Sequence, residues 1–221
     1  IYNKVEQKRD LKETFSGFTN SLKEPIVLLT GFSILAVYTA FIVVNVYFTP
    51  FLIDVYQLPA TFVGYFALVN GAATRMLSAP FSGLIADKNF KTSAHFMKFC
   101  FVLLAMLIGG VLLVPKTQGF MYIVMLFLMA STIICYFIRG IYFAPLGEAK
   151  LPIESAAAAN SIASFIGYSP TFWGYPLFGY IIDKTGSYDL IFILLIVLAL
   201  FGIIINQVNG KLILNRREKT A

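Results

Sequence analysis

Two closely matching stretches decide the fold of this chain: Pro80-Phe-Ser-Gly-Leu-Ile-Ala-Asp-Lys88 and Pro176-Leu-Phe-Gly-Tyr-Ile-Ile-Asp-Lys184. They share the pattern Pro-x-x-Gly-x-x-x-Asp-Lys, and the second copy follows the first at an interval of 96 residues. Each copy ends a long apolar segment and precedes another one. A helix-end pattern that recurs at a fixed interval predicts two copies of one three-helix unit. Because three is an odd number of membrane crossings, we expect the two copies to lie inverted relative to each other in a membrane.

The composition indicates a membrane protein. The 221 residues are 58% hydrophobic and 13% charged, with a mean hydropathy of +0.79, whereas soluble domains carry about 25% charged residues. A membrane-spanning helix needs about 20 predominantly apolar residues. We therefore predict an all-α, polytopic membrane protein with six transmembrane helices, arranged as two inverted three-helix repeats. The six predicted spans cover roughly residues 25–49, 59–86, 93–114, 118–146, 156–182 and 188–208.

The spans divide the chain into three regions. Residues 1–24 are polar and are predicted to form a cytoplasmic linker, either as an amphipathic helix on the membrane surface or as a partly disordered segment. Residues 25–210 are predicted to form the six-helix bundle, with its repeats at about 25–115 and 118–208. Residues 211–221 are predicted to form a basic cytoplasmic tail.

Positive charges are concentrated on one side of the predicted bundle. With six spans, both termini lie on the same side as most of the lysines and arginines. The cations on this side are Lys4, Lys8, Arg9, Lys12, Lys23, Lys88, Lys91, Lys98, Lys150, Lys211, Arg216, Arg217 and Lys219, against Lys116 and Lys184 on the other. The positive-inside rule then predicts that both termini are cytoplasmic, in an inner or plasma membrane. Because the cations flank spans and have no aromatic reader motif beside them, we expect no nucleic-acid partner.

Polar side chains are unevenly distributed among the spans. The third span (after Lys98) and the sixth contain almost no hydrogen-bonding side chains, whereas the other four carry polar stripes. The stripes are Tyr38, Phe41, Asn45 and Phe48; Asn70, Thr74 and Ser78; Thr132, Cys135 and Arg139; and Asn160, Ser164, Tyr168, Thr171 and Tyr175. An unpaired polar group in hydrocarbon costs several kcal/mol, so these stripes are expected to face water or protein. They either line a wet cavity or hold helices together.

The first copy of the repeated pattern resembles a known loop motif. Gly83, Asp87, Lys88 and Lys91 match Gly-x-x-x-Asp-(Arg/Lys)-x-Gly-(Arg/Lys)-(Arg/Lys), the motif of the major facilitator superfamily, although Phe90 replaces the inner Gly and Thr92 the final cation. The whole chain resembles the C-terminal six-helix half of a bacterial-type member of this superfamily. The resemblance implies a twelve-helix transporter whose two halves rock about a central site. It also implies that the first, second, fourth and fifth spans line the cavity. These are the same four spans that carry the polar stripes.

Arg75 is the leading candidate for binding a solute. It lies 12 residues before Asp87, about 18 Å along a helix. An arginine in the middle of a membrane costs at least about 2.5 kcal/mol unless it faces a cavity or a partner. Because no Asp or Glu lies mid-span, its counter-charge is expected from a substrate anion or from the absent half of the protein. The residues expected to complete the site are Asn70, Thr74, Tyr38, Asn45, Asn160, Ser164 and Tyr168.

A second group of residues is predicted to act in gating. Gly83, Asp87, Lys88 and Lys91 belong to the motif, and Arg139 and Glu148 lie near the same cytoplasmic end. Asp87 and Arg139 are expected to belong to one polar cluster there, which would bias the equilibrium between inward-open and outward-open states.

These patterns predict a secondary active transporter of a small organic solute, and Arg75 favours an anion. Nothing resembles a nucleotide-binding loop, a catalytic triad or a metal cluster, so we expect neither an enzyme nor a cofactor. The alternatives are a transporter-like membrane solute sensor and a six-helix membrane protein that pairs with itself. The chain begins with Ile1 rather than Met, so we expect it to be part of a longer protein. Its expected partners are a small-molecule solute, membrane lipid, and the missing N-terminal half or a second copy.

Overall fold

The computed structural model describes residues 11–220, and every regular element within them is a helix, which confirms the predicted all-α class. Residues 1–10 of the predicted linker and Ala221 of the predicted tail lie outside the described residues. The helices are α1 (Leu11–Lys23), α2 (Pro25–Val46), α3 (Phe48–Tyr56), α4 (Ala60–Leu68), α5 (Thr74–Asn89), α6 (Ser93–Leu113), α7 (Met121–Ile141), α8 (Ala144–Glu148), α9 (Ile153–Tyr168), α10 (Pro170–Thr185) and α11 (Asp189–Thr220).

Four of the predicted spans are confirmed as helices that are long and apolar enough to cross a membrane. Their bounds by this criterion are Pro25–Val46, Ser93–Leu113, Gln118–Glu148 and Asp189–Lys219. The second and fifth predicted spans fold instead as pairs of shorter helices. A π-helical turn, Val69–Ala73, joins α4 to α5, and α9 and α10 meet at Ser169.

Only the second interruption coincides with a proline. At the first, the Thr74 hydroxyl donates to the backbone carbonyl of Asn70, a bond that Thr39 and Thr132 also make within the uninterrupted α2 and α7. In the second, Pro170 has no backbone N–H to continue the helical ladder, and Ser169 N–H bonds the carbonyl of Ile166 at 3.3 Å. The first interruption ends at Ala73, and the second lies at Ser169. These two positions are also 96 residues apart.

The 96-residue interval of the sequence pattern recurs in the helix boundaries. The pairs of boundaries with this separation are the starts Pro25 and Met121, Phe48 and Ala144, and Ser93 and Asp189, and the ends Asn89 and Thr185. The two parts of the chain thus pass through the same succession of elements. This agreement extends well beyond the nine-residue pattern.

Polar contacts close both ends of the bundle. At the end that holds α1 and the C-terminus, here called the terminal face, Arg216 binds Glu24 at 3.1 Å and Arg217 binds Glu148 at 3.1 Å. Glu148 also accepts the backbone N–H of Ser93 at 2.8 Å, which satisfies an orphan donor at the start of α6.

At the opposite face, Lys116 binds Asp189 at 2.5 Å. The Tyr188 hydroxyl donates to Asp54 at 2.5 Å, which links the start of α11 to α3. Helix α11 thus makes polar contacts at both faces, with different partners at each.

Helix α11 makes side-chain hydrogen bonds to α2 that its largely apolar sequence did not predict. Asn206 donates to the Ser33 hydroxyl at 2.8 Å, and Asn209 donates to the Thr30 hydroxyl at 3.1 Å. Both asparagines are fully buried. The expectation that the sixth span, 188–208, contains almost no hydrogen-bonding side chains is therefore wrong at Asn206, and Asn209 makes a similar bond to α2 just beyond that span.

Two glycines allow α2 and α9 to pack closely. A Cβ atom added at Gly31 would lie 3.1 Å from Cβ of Ile166, and one added at Gly167 would lie 2.3 Å from Cγ2 of Ile34. Small residues at such contacts let helix backbones approach within a membrane. The stiff, β-branched Ile34 leaves little room for adjustment at Gly167.

We expect Gly167→Ala to destabilise the protein by about 1–3 kcal/mol, because the added methyl group must push α9 away from α2. Gly109→Ala is the matched control, since a Cβ atom there meets nothing within 4 Å, and alanine favours a helix over glycine by up to about 1 kcal/mol. Unfolding of the two detergent-solubilised variants measures the difference. Equal destabilisation of both variants would contradict close packing at Gly167.

Candidate functional site

An aromatic cluster joins α2, α7 and α9. It consists of Tyr38, Phe41, Tyr136, Arg139, Tyr142 and Tyr168. Tyr38 packs against Tyr168 with 4.9 Å between ring centroids, and Phe41 packs edge-on against Tyr136 at 5.7 Å. Contacts of this geometry add stability beyond the area that they bury. The cluster thus connects three helices that carry polar stripes in the sequence.

Arg139 belongs to this cluster. Its guanidinium lies 4.1 Å from the ring centroid of Phe41, within range of a cation–π interaction. Arg139 forms no ion pair with a carboxylate in the part of the chain that the structure describes. Asp87 is exposed at the end of α5 and is likewise without an ion pair among residues 11–220. The expected cluster of Asp87 with Arg139 is therefore not present, because Arg139 turns toward α2.

Hydrogen bonds extend the cluster to other predicted site residues. The hydroxyl groups of Tyr142 and Tyr168 are 2.8 Å apart, and the Tyr136 hydroxyl donates to the side-chain carbonyl of Asn45 at 3.3 Å. Tyr38, Asn45, Tyr168 and Arg139, predicted separately from sequence, are thereby brought together. Sequence reasoning missed Tyr136 and Tyr142 as site residues because a tyrosine inside an apolar span cannot be distinguished by sequence from a residue that only packs in the core. Their spacing of three residues on either side of Arg139 was the available signal.

The polar stripe of the second span packs between helices. Asn70 is 4% exposed and Thr74 is 7% exposed. The Asn70 amide donates to the Thr132 hydroxyl of α7 at 3.0 Å, and the Ser78 hydroxyl donates to the Thr74 carbonyl at 2.5 Å. Asn70 thus joins the π-helical turn to α7, which is the structural alternative to a cavity lining. Solute binding by Asn70 and Thr74 stays a prediction.

Arg75 has a different environment from its neighbour Thr74. It is exposed and makes no hydrogen bond or ion pair with any other described residue. It follows the π-helical turn Val69–Ala73 by two residues, and such turns occur often at functional sites. Asn160 is also exposed, and Ser164 is half-buried, on α9. The structure therefore leaves these predicted binding residues accessible.

The motif residues lie on an open surface. A Cβ atom added at Gly83 meets nothing within 4 Å, and the same holds at Gly179 in the second copy. Lys88 and Lys91 are exposed, and the backbone carbonyl of Lys91 accepts a hydrogen bond from Arg217 at 3.1 Å. The direction in which a side chain would extend from either motif glycine is therefore open.

The described residues contain no group of three or more His, Cys, Asp or Glu side chains placed to hold a metal ion. Cys100 and Cys135 are buried free thiols.

The chain is similar to inner membrane proteins of a bacterium. It is 27% identical over 216 residues to the inner membrane protein YihN of Escherichia coli K12, an alignment that covers 96% of this chain and 51% of YihN. It is 26% identical over 151 residues to the inner membrane protein YqcE of the same organism, covering 66% of this chain and 35% of YqcE. The chain therefore spans about half the length of YihN and about a third of the length of YqcE. No protein-family model matches it, and no solved structure matches it.

We expect Asn70→Ala and Thr132→Ala to be coupled in stability, because each removes the same interhelical hydrogen bond. Couplings of this kind inside membranes average about 0.6 kcal/mol and reach about 1.7 kcal/mol. A double-mutant cycle on unfolding in detergent measures the coupling. Asn160→Ala is the control, since Asn160 is exposed and should show no coupling with Thr132→Ala. Strictly additive effects of Asn70→Ala and Thr132→Ala would contradict the pairing.

Proposed function

We propose that this chain is the C-terminal six-helix half of a secondary active transporter with the major facilitator fold, and that it helps move a small organic anion by alternating access. The observation that carries the proposal is the pair of interrupted helices. The interruptions end at Ala73 and Ser169, 96 residues apart in a chain whose helix boundaries repeat at that interval. Interrupted segments at corresponding positions of two repeats are typical of the substrate site in transporters.

In this proposal all six passes cross the membrane and the two repeats are inverted. The terminal face, which carries Lys91, Arg216 and Arg217, is cytoplasmic according to the positive-inside rule. Both termini are then cytoplasmic. The relatives YihN and YqcE are inner membrane proteins, which supports the same membrane for this chain.

The proposed preference for an anion rests on Arg75. Its exposed guanidinium has no counter-charge within the described residues, and it follows one of the two interruptions. A guanidinium offers a planar set of donors that matches a carboxylate or phosphate, whereas a lysine ammonium acts as a point charge. Asn45 and Asn160 are exposed polar groups on α2 and α9, and they would supply neutral hydrogen bonds to the rest of the solute.

The remaining half of the protein would pack against α4–α5 and α9–α10. These helices expose large side chains, among them Tyr65, Met76, Phe165 and Phe172. They also carry four glycines at which an added Cβ atom would have no neighbour within 4 Å. These are Gly64, Gly71, Gly83 and Gly179. Open glycines permit close helix approach. The chain covers 51% of YihN, which leaves room for a second set of helices in a protein of that length.

Gating is proposed to involve the terminal face. Asp87 and Lys88 are exposed at the end of α5, where a charge on the opposing half would meet them when that side closes. Glu148 is already held by Arg217 and by the N-terminus of α6. We infer that Glu148 keeps α6, α8 and α11 together while Asp87 makes the contact that changes during transport.

We expect Arg75→Lys in the full-length protein to weaken binding of an anionic solute by about tenfold or more, because the bidentate geometry is lost. Binding is measured by thermal stabilisation with a panel of sugars, sugar acids, amino acids and organophosphates, and transport is measured in proteoliposomes. Arg75→Ala should abolish both for the solute that the panel identifies.

Lys184→Ala removes an exposed cation outside the proposed site and should leave binding unchanged. A neutral or cationic solute whose transport survives Arg75→Ala would contradict the anion proposal. Solute binding without any transport in proteoliposomes would favour a membrane sensor over a transporter.

A further inference from the structure

A groove lies between α6 and α11 near the terminal face. Its volume is about 390 Å³, and its walls are formed by Lys98, Val102, Ile203, Ile204, Gln207 and Val208. Ile204 is 64% exposed, so the groove opens outward from the bundle and not toward the aromatic cluster. The exposed side of α11 beyond it is entirely apolar through Val197 and Leu200, as expected for a surface that contacts lipid acyl chains.

The groove contains a cation without a counter-ion. Lys98 is half-buried, and its ammonium donates to the Gln207 side-chain carbonyl at 2.8 Å. It forms no ion pair with any carboxylate of residues 11–220. The acidic group of this region, Glu148, is occupied by Arg217 and the Ser93 N–H. An ammonium has three donors, so two remain for another acceptor.

A second cation follows the groove one helical turn further along α11. Lys211 follows Gln207 by four residues on the same helix and is exposed. Residues four apart lie on the same helix face, one turn nearer the terminal face. The surface therefore combines two cations at one end with apolar walls at the other.

We propose that this groove binds one anionic phospholipid of the membrane, with its phosphate between Lys98 and Lys211 and the start of an acyl chain along Val102, Ile203 and Ile204. Basic pockets between transmembrane helices are suited to anionic headgroups. A free phosphate would satisfy the two ammonium groups but not the apolar walls. A zwitterionic lipid would fit the walls but would bring a positive group toward the lysines. The proposal needs the chain to lie in a membrane and does not depend on what solute is transported.

The test uses the purified full-length protein in detergent, titrated with phosphatidylglycerol, phosphatidylcholine or inorganic phosphate, with bound lipid counted by native mass spectrometry. Phosphatidylglycerol should be retained in preference to phosphatidylcholine. Lys98→Gln should weaken its retention at least about fivefold, the effect of one cation near a membrane surface. Lys98→Arg should retain the lipid because the charge is kept.

Two further variants separate a built site from general attraction between charges. Ile204→Trp fills the groove without changing charge and should also weaken retention. Lys23→Gln removes an exposed cation of α1 at the same end of the bundle and should have no effect. Circular dichroism and the melting temperature of each variant establish that it is folded.

The proposal would be overturned by equal retention of both lipids, by equal effects of Lys98→Gln and Lys23→Gln, or by unaltered retention in Ile204→Trp. Displacement of phosphatidylglycerol by inorganic phosphate at comparable concentration would also overturn it, because the apolar walls would then contribute nothing.

Discussion

Hydrocarbon supplies no hydrogen-bond partners, and this constraint explains most of the structure. Backbone groups are satisfied within helices, and buried side-chain amides must find partners on neighbouring helices. Asn206 and Asn209 do so on α2, and Asn70 does so on α7. Each of these pairs joins an amide to a hydroxyl on another helix. Polar residues that look functional in the sequence are thus divided between holding the bundle together and remaining available for a ligand.

The molecule has two kinds of exposed surface, and they imply different neighbours. The outer side of α6, and of α11 as far as Val208, is apolar apart from the groove at Lys98. The surface of α4–α5 and α9–α10 mixes aromatic residues, open glycines and Arg75. An arginine without a partner is costly against lipid, whereas apolar side chains are not. We therefore assign the first surface to lipid and propose that the second meets the rest of the protein and its solute.

Several helix boundaries lie 96 residues apart, but positions at this interval differ in packing. Gly167 on α9 is pressed against Ile34, whereas Gly71, which lies 96 residues earlier, has nothing within 4 Å of an added Cβ atom. The shared interval therefore does not extend to the contacts of these two glycines. One interrupted helix is held closely against α2, and the other is held through the Asn70–Thr132 hydrogen bond. A difference of this kind would let the two interrupted helices respond unequally to a ligand.

The sequence by itself determined the helical class, four long apolar helices and the 96-residue interval, because these depend on local composition and on residues that end helices. It also identified Tyr38, Asn45, Arg139 and Tyr168 as unusual within apolar spans. Only the tertiary structure decided that Arg139 faces Phe41 and not Asp87, and that Asn70 and Thr74 are buried while Arg75 is exposed. Side chains one position apart on a helix point about 100° apart. Their roles therefore depend on which neighbouring helix packs on which side, and that is set by contacts between residues far apart in the chain.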